Sequence, residues 1–132
     1  MNANELRIGN WALLTKGDKS RPVSFASFLG LANVERSPNQ FAPIPLTPEI
    51  LERAGFGRIE LISALEVELN LPPSAKPIIG YEKKVRELTL NWVEGDGIYL
   101  SGFSFDLPHV LYLHQLQNLY YALTGEELQI EL

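Results

Sequence analysis

Nine prolines and ten glycines are spread along these 132 residues, and they decide what the chain is able to fold into. Proline breaks a helix interior and drives the residue before it into extended backbone, while glycine marks turns and helix ends. The chain is therefore cut into short strands and helices joined by tight connections. At this length a single domain with its own core is expected, spanning residues 1–132.

Read piece by piece, the N-terminal part is β-like. Leu6 to Leu14 reads as a strand, Lys16-Gly17-Asp18-Lys19-Ser20 as a polar turn, and Pro22 to Leu29 as a second strand completing a hairpin. A third strand is expected near Leu31–Glu35, then a loop at Ser37–Gln40. Phe41 to Leu46 must be extended, because Pro43 and Pro45 restrict the residues before them. A helix then begins at Thr47, a good N-cap, followed by Pro48 at the first helical position; Gly55 stops it and Phe56 packs back.

Arg58 to Leu71 contains Leu65, Val67, Leu69 and Leu71 alternating with Glu66, Glu68 and Asn70. Period two favours a half-buried strand, although the residue types also suit a helix. Pro72–Pro77 is a loop. Lys84 to Val93 reads as one strand, Glu94-Gly95-Asp96-Gly97 as a hairpin turn, and Ile98 to Phe103 as the partner strand. The strongest helix covers about 109–124, where Tyr112, Leu113, Leu116, Leu119, Tyr120 and Leu123 form one stripe. Asp106 is a candidate cap. Val110 and Leu111 fall off the stripe, so an extended first turn with the helix starting near Tyr112 is the alternative. The fold class is α+β: an antiparallel sheet of five or six strands, open or curled into a partial barrel, with a short middle helix (about 47–55) and a C-terminal helix.

Charge and composition exclude several functions. There is no cysteine, which removes disulfides and thiolate metal sites. No apolar run approaches the roughly 18–20 residues needed to cross a bilayer. Met1 to Arg7 lacks a basic stretch followed by an apolar one, so the reading expects a cytoplasmic protein without membrane contact. Net charge is −5, and no Lys or Arg follows Arg86. Lys83, Lys84 and Arg86 are the one basic cluster, flanked by Glu82 and Glu87. Phosphate neutralisation needs clustered cations, which argues against nucleic acid as a partner.

No catalytic constellation is complete. His109 and His114 stand five apart, about 140° around a helix, so they do not share a metal. No metal or cofactor is expected. Asp106 with His109 mimics a base and its carboxylate, but capping explains Asp106 better. Ser101 and Ser104 lack a nucleophile elbow, and Gly95 and Gly97 lack the Lys-Ser/Thr of a phosphate loop. The acid pairs Glu66/Glu68, Glu94/Asp96 and Glu126/Glu127 read as solvated faces. One patch is sharper. His114, Gln117, Asn118 and Tyr121 lie three and four apart on the last helix, a contiguous polar face. It reads as a recognition surface, as the solvent face of an amphipathic helix, or as amides tying the helix to a neighbouring loop.

Three blocks carry a resemblance. They are Leu6-Arg7-Ile8-Gly9-Asn10-Trp11, then Pro43-Ile44-Pro45-Leu46-Thr47-Pro48-Glu49-Ile50-Leu51 with Gly55-Phe56, and Leu113-His114-Gln115-Leu116-Gln117-Asn118-Leu119-Tyr120 with Ala122-Leu123-Thr124-Gly125-Glu126-Glu127-Leu128. In order and spacing they resemble a family of small uncharacterised proteins encoded in Bacteroidetes genomes and their phages or prophages. The resemblance implies a cytoplasmic protein and a mobile-element setting, and it transfers no catalytic residue. Helix formation does not demand His114, Gln115, Gln117 or Asn118, so with Tyr121 they are the candidate binding residues. The leading expectation is a non-catalytic protein-interaction or adaptor protein of a bacterial mobile element or phage, with a protein partner. A small enzyme using a histidine as acid/base and a nucleic-acid-associated protein are the alternatives.

Overall fold

The computed structural model describes residues 1–16, 19–61, 78–94, 97–101, 105–107 and 110–132. The expected alternation at 65–71, the acid pair Glu66/Glu68, the turn residues Gly95 and Asp96, Ser104 and His109 lie outside them. The fold is mixed α+β, and all strand pairs are antiparallel. The strands divide between two sheets. β1 (Trp11–Lys16), β2 (Lys19–Ser24) and β3 (Phe41–Ala42) form one, in the order β2-β1-β3. β4 (Gly57–Leu61), β5 (Ile78–Val85), β6 (Leu88–Val93), β7 (Gly97–Ser101) and β8 (Phe105–Leu107) form the other, in sequence order with β4 and β8 at its edges.

The expected N-terminal hairpin is present, with Leu13 opposite Pro22 and Trp11 opposite Ser24. Its ends differ from the sequence reading. Residues 3–5 make a 3₁₀ turn, and the strand begins only at Trp11. The second strand stops at Ser24, and Phe28–Arg36 is a helix, α1, where the end of that strand and a third strand were expected. The cause is a cap: the Ser27 hydroxyl accepts from the Gly30 N–H at 3.4 Å, and β-branched residues are scarce in the segment that follows.

The middle helix, α2 (Pro48–Arg53), follows the sequence signals closely. Thr47 Oγ1 accepts from the Ile50 N–H at 3.3 Å, and the Phe56 N–H reaches back to the Leu51 carbonyl at 2.9 Å. Between those points Gly55 has φ +88°, and an added Cβ there would lie 2.7 Å from Lys83 Nζ. The single strand expected over 84–93 is instead a hairpin turning at Arg86-Glu87, with Val85 opposite Leu88. No glycine announces it; Arg86 itself takes the left-handed region at φ 58°.

The last helix, α3 (Leu113–Thr124), starts where the apolar stripe does, with Val110 and Leu111 outside it. Asp106 is not its cap, because Asp106 belongs to β8, opposite Tyr99. The Gln115 side chain closes the helix start instead, accepting from the Leu111 and Tyr112 N–H groups at 2.9 and 3.1 Å. Just before this point residues 44–46 pair with 111–113: Leu113 N–H donates to the Ile44 carbonyl at 2.8 Å and Leu46 N–H to the Leu111 carbonyl at 3.0 Å. This short ladder fixes the starts of α2 and α3 side by side.

Two cores result. In the larger, Tyr81, Trp92, Ile98 and Leu107 form a cross-strand row on the five-stranded sheet. Leu51, Phe56, Leu113, Leu116, Leu128 and Ile130 are among the residues packed with it. The smaller contains Leu6, Ala12, Phe25 and Val34. β1 is their shared wall: Trp11 and Leu13 pack on the large core, while Ala12 between them packs on the small one. Truncating a fully buried side chain in the large core leaves a cavity. Leu51→Ala is expected to lower unfolding stability by about 2–5 kcal/mol in urea denaturation, with an unchanged m-value.

Candidate functional site

α3 places His114, Gln117, Asn118 and Tyr121 on one face because they stand at spacings of three and four. Apart from Tyr121, that face does not look into solvent. Residues 5–11 lie across it, and nearly all of its polar groups are used in holding them. Gln117 is buried; its Oε1 accepts from the Trp11 N–H at 2.9 Å and its Nε2 donates to the Gly9 carbonyl at 3.0 Å. The amide therefore pairs with the chain much as a neighbouring strand would. Asn118 does the same one residue along. Its Oδ1 accepts from Arg7 Nε and Asn10 Nδ2, both at 3.0 Å, and its Nδ2 donates to the Glu5 carbonyl at 3.0 Å.

Arg7 is the cation of this joint. Its Nη1 donates to Glu127 Oε1 at 2.7 Å, its Nη2 reaches the Gln117 carbonyl at 3.4 Å, and its guanidinium lies 4.2 Å from the centre of the Tyr121 ring. The Arg7 and Glu127 side chains are 31% and 42% exposed, so this ion pair contributes ~1 kcal/mol or less. The buried amides matter more, because breaking one leaves its partners desolvated and unpaired. Asn10 is fully buried, and its Oδ1 also accepts from the Arg7 N–H at 2.7 Å.

His114 differs from its neighbours. It is 1% exposed, and neither ring nitrogen has a hydrogen-bond partner among the described residues. Nε2 lies 3.5 Å from Glu5 Oε2, and the Tyr112 ring stacks parallel to the imidazole with centroids 6.1 Å apart. Burial lowers its pKa from the ordinary 6.5, and the Glu5 carboxylate partly offsets that.

Of the five candidate binding residues, then, Gln115 caps α3, Gln117 and Asn118 bind residues 5–11, His114 is enclosed beside Glu5, and Tyr121 is the one at the surface. For Gln117 and Asn118 the geometry is that of amides tying the helix to a neighbouring segment, rather than of a solvent face. Glu5, Arg7, Asn10 and Glu127 are the partners that sequence reasoning missed. The signal was present: the first and last of the three blocks quoted above are the two sides of this joint.

The basic cluster is used in a similar way. Lys83 Nζ donates to the Ala54 carbonyl at 2.8 Å, at the C-terminus of α2, and partial burial lowers its pKa. Arg86 Nη2 donates to the Thr124 carbonyl at 2.9 Å, at the C-terminus of α3. Neither last turn could satisfy these carbonyls alone, and α3 has no basic residue in its own last turn. Among the described residues no group of three or more His, Asp or Glu is arranged to hold a metal ion, and no helix is long and apolar enough to cross a membrane.

No protein-family model, no curated protein and no solved structure matches this chain.

The joint makes a stability prediction. Asn118→Ala removes the partner of Arg7 Nε, Asn10 Nδ2 and the Glu5 carbonyl, and is expected to cost about 1–3 kcal/mol by chemical denaturation. Tyr121→Ser, at the exposed edge of the same face, is expected to cost less than about 1 kcal/mol.

Proposed function

We propose that this chain is a non-catalytic protein-interaction or adaptor protein that engages a protein partner through the first turn of α1. The observation that carries the reading is the exposure of Phe28 and Leu29. They are adjacent, large and apolar, and stand 77% and 76% open to solvent. Fully burying such side chains is worth roughly 1.5–3 kcal/mol each, which the monomer forgoes. The turn is held in place from beneath, because Ser27 caps it and Val34 of the same helix is buried against Phe25 in the small core. Paired apolar anchors of this kind suit a partner presenting an apolar pocket.

Two further features support an interaction role over chemistry or phosphate binding. The His114 imidazole is enclosed, so it has no contact with an external substrate while residues 5–11 cover it. Lys83 and Arg86 of the basic cluster already serve helix ends. The resemblance of the three sequence blocks to small phage and prophage proteins favours a mobile-element partner.

A photo-crosslinking amino acid at position 28 or 29 tests this in the cell of origin. The expected result is one dominant protein adduct, absent when the same group stands at the exposed Glu52 on α2, and lost when the neighbouring anchor becomes serine. Phe28→Ser with Leu29→Ser is expected to leave unfolding stability within about 0.5 kcal/mol. The same adducts from position 52 as from position 28 or 29, or none at 28 and 29, would remove the proposal.

A further inference from the structure

We propose that the joint between residues 5–11 and α3 is a pH-sensitive clasp, with His114 as the proton-sensing group and release of the N-terminal segment as the response. The geometry carries it. Gln117, Asn118, Asn10 and Arg7 all have hydrogen-bond partners across the joint, whereas the one titratable ring beside them is 1% exposed, makes no hydrogen bond from either nitrogen, and meets Glu5 of the N-terminal segment at 3.5 Å. A neutral imidazole is tolerated in such a place; an imidazolium brings a second N–H and a full charge into it.

The charged groups around it are few. On the N-terminal segment, Glu5 lies 3.5 Å away and Arg7 is paired with Glu127 at 2.7 Å. On its own element, Tyr112 stacks against the ring and Gln117 and Asn118 are already bonded to residues 5–11. Glu5 is more than half exposed, so its attraction for an imidazolium is screened, and the burial effect is the larger of the two. Once the segment lifts, the ring returns to the ordinary 6.5. The open state therefore binds the proton more readily than the closed state. Closure is at full strength above pH 6.5 and weakens as pH falls below it, by up to about tenfold per pH unit for one linked proton.

Amide hydrogen exchange on the intact chain, corrected for the intrinsic pH dependence of exchange, tests this between pH 5 and 8. The expected result is faster opening of residues 5–11 below pH 6.5 while β5 and β6 keep their protection. His114→Gln, which cannot titrate, is expected to give a flat profile. Glu5→Gln, which removes the offsetting charge from the closed state alone, is expected to leave the onset near pH 6.5 and to carry the loss of protection further as pH falls. Unchanged protection of residues 5–11 across the range would overturn the proposal, as would the same pH dependence in His114→Gln. If that variant does not fold, the imidazole of the wild-type chain is titrated by NMR. A midpoint below 6.5 supports the clasp, and one at or above 6.5 contradicts it.

Discussion

Two neighbouring side-chain amides, Gln117 and Asn118, hold this structure together at its least regular point. Residues 5–10 form no strand, and although the Gly9 N–H and the Asn10 carbonyl bond to Phe25, the Glu5 and Gly9 carbonyls have no ladder to join. Gln117 and Asn118 supply one from the side of a helix, pairing with the Trp11 N–H and with the Gly9 and Glu5 carbonyls. Buried backbone groups left without partners cost free energy comparable to a lost hydrogen bond. Those two amides are what fastens the N-terminal segment to α3, while Phe25 holds its other side.

From that joint the rest follows outward. Trp11, fixed by Gln117, opens β1, and β1 separates the two cores by the alternation of Trp11, Ala12 and Leu13. α3 presents its apolar stripe to the large core and its amides to residues 5–11, so one helix serves both. Beyond its own Gln115 cap, its ends are also held from elsewhere in the chain, by the pairing of 111–113 with 44–46 at the start and by Arg86 at the finish. Lys83 closes α2 similarly. The middle of the chain thus supplies a cation to the C-terminus of each of these two helices.

Local signals were legible in the sequence wherever one residue type has one physical use. Thr47-Pro48 and Gly55-Phe56 bounded α2, the Leu/Tyr stripe located α3, and the polar run after Lys16 gave the first hairpin. Legibility failed where the deciding group is distant or atypical. Arg86 turns a hairpin without glycine, so two strands read as one. Ser27 caps a helix within a segment rich in Phe and Leu that also reads as a strand. The polar face of α3 was visible as a patch, but whether it met solvent or chain depended on residues more than a hundred positions away. Spacing along a helix names the face and not what covers it.

The account rests on that face being an internal joint. A double-mutant cycle on Arg7 and Asn118 measures it most directly, using unfolding free energies of Arg7→Ala, Asn118→Ala and the double variant. Their bond at 3.0 Å, in a half-buried setting shared with Asn10, predicts a coupling of about 0.5 kcal/mol or more, the double variant losing less than the sum of the two singles. Additivity within about 0.3 kcal/mol would contradict it, because the two residues would then act independently and the face would be free for another role.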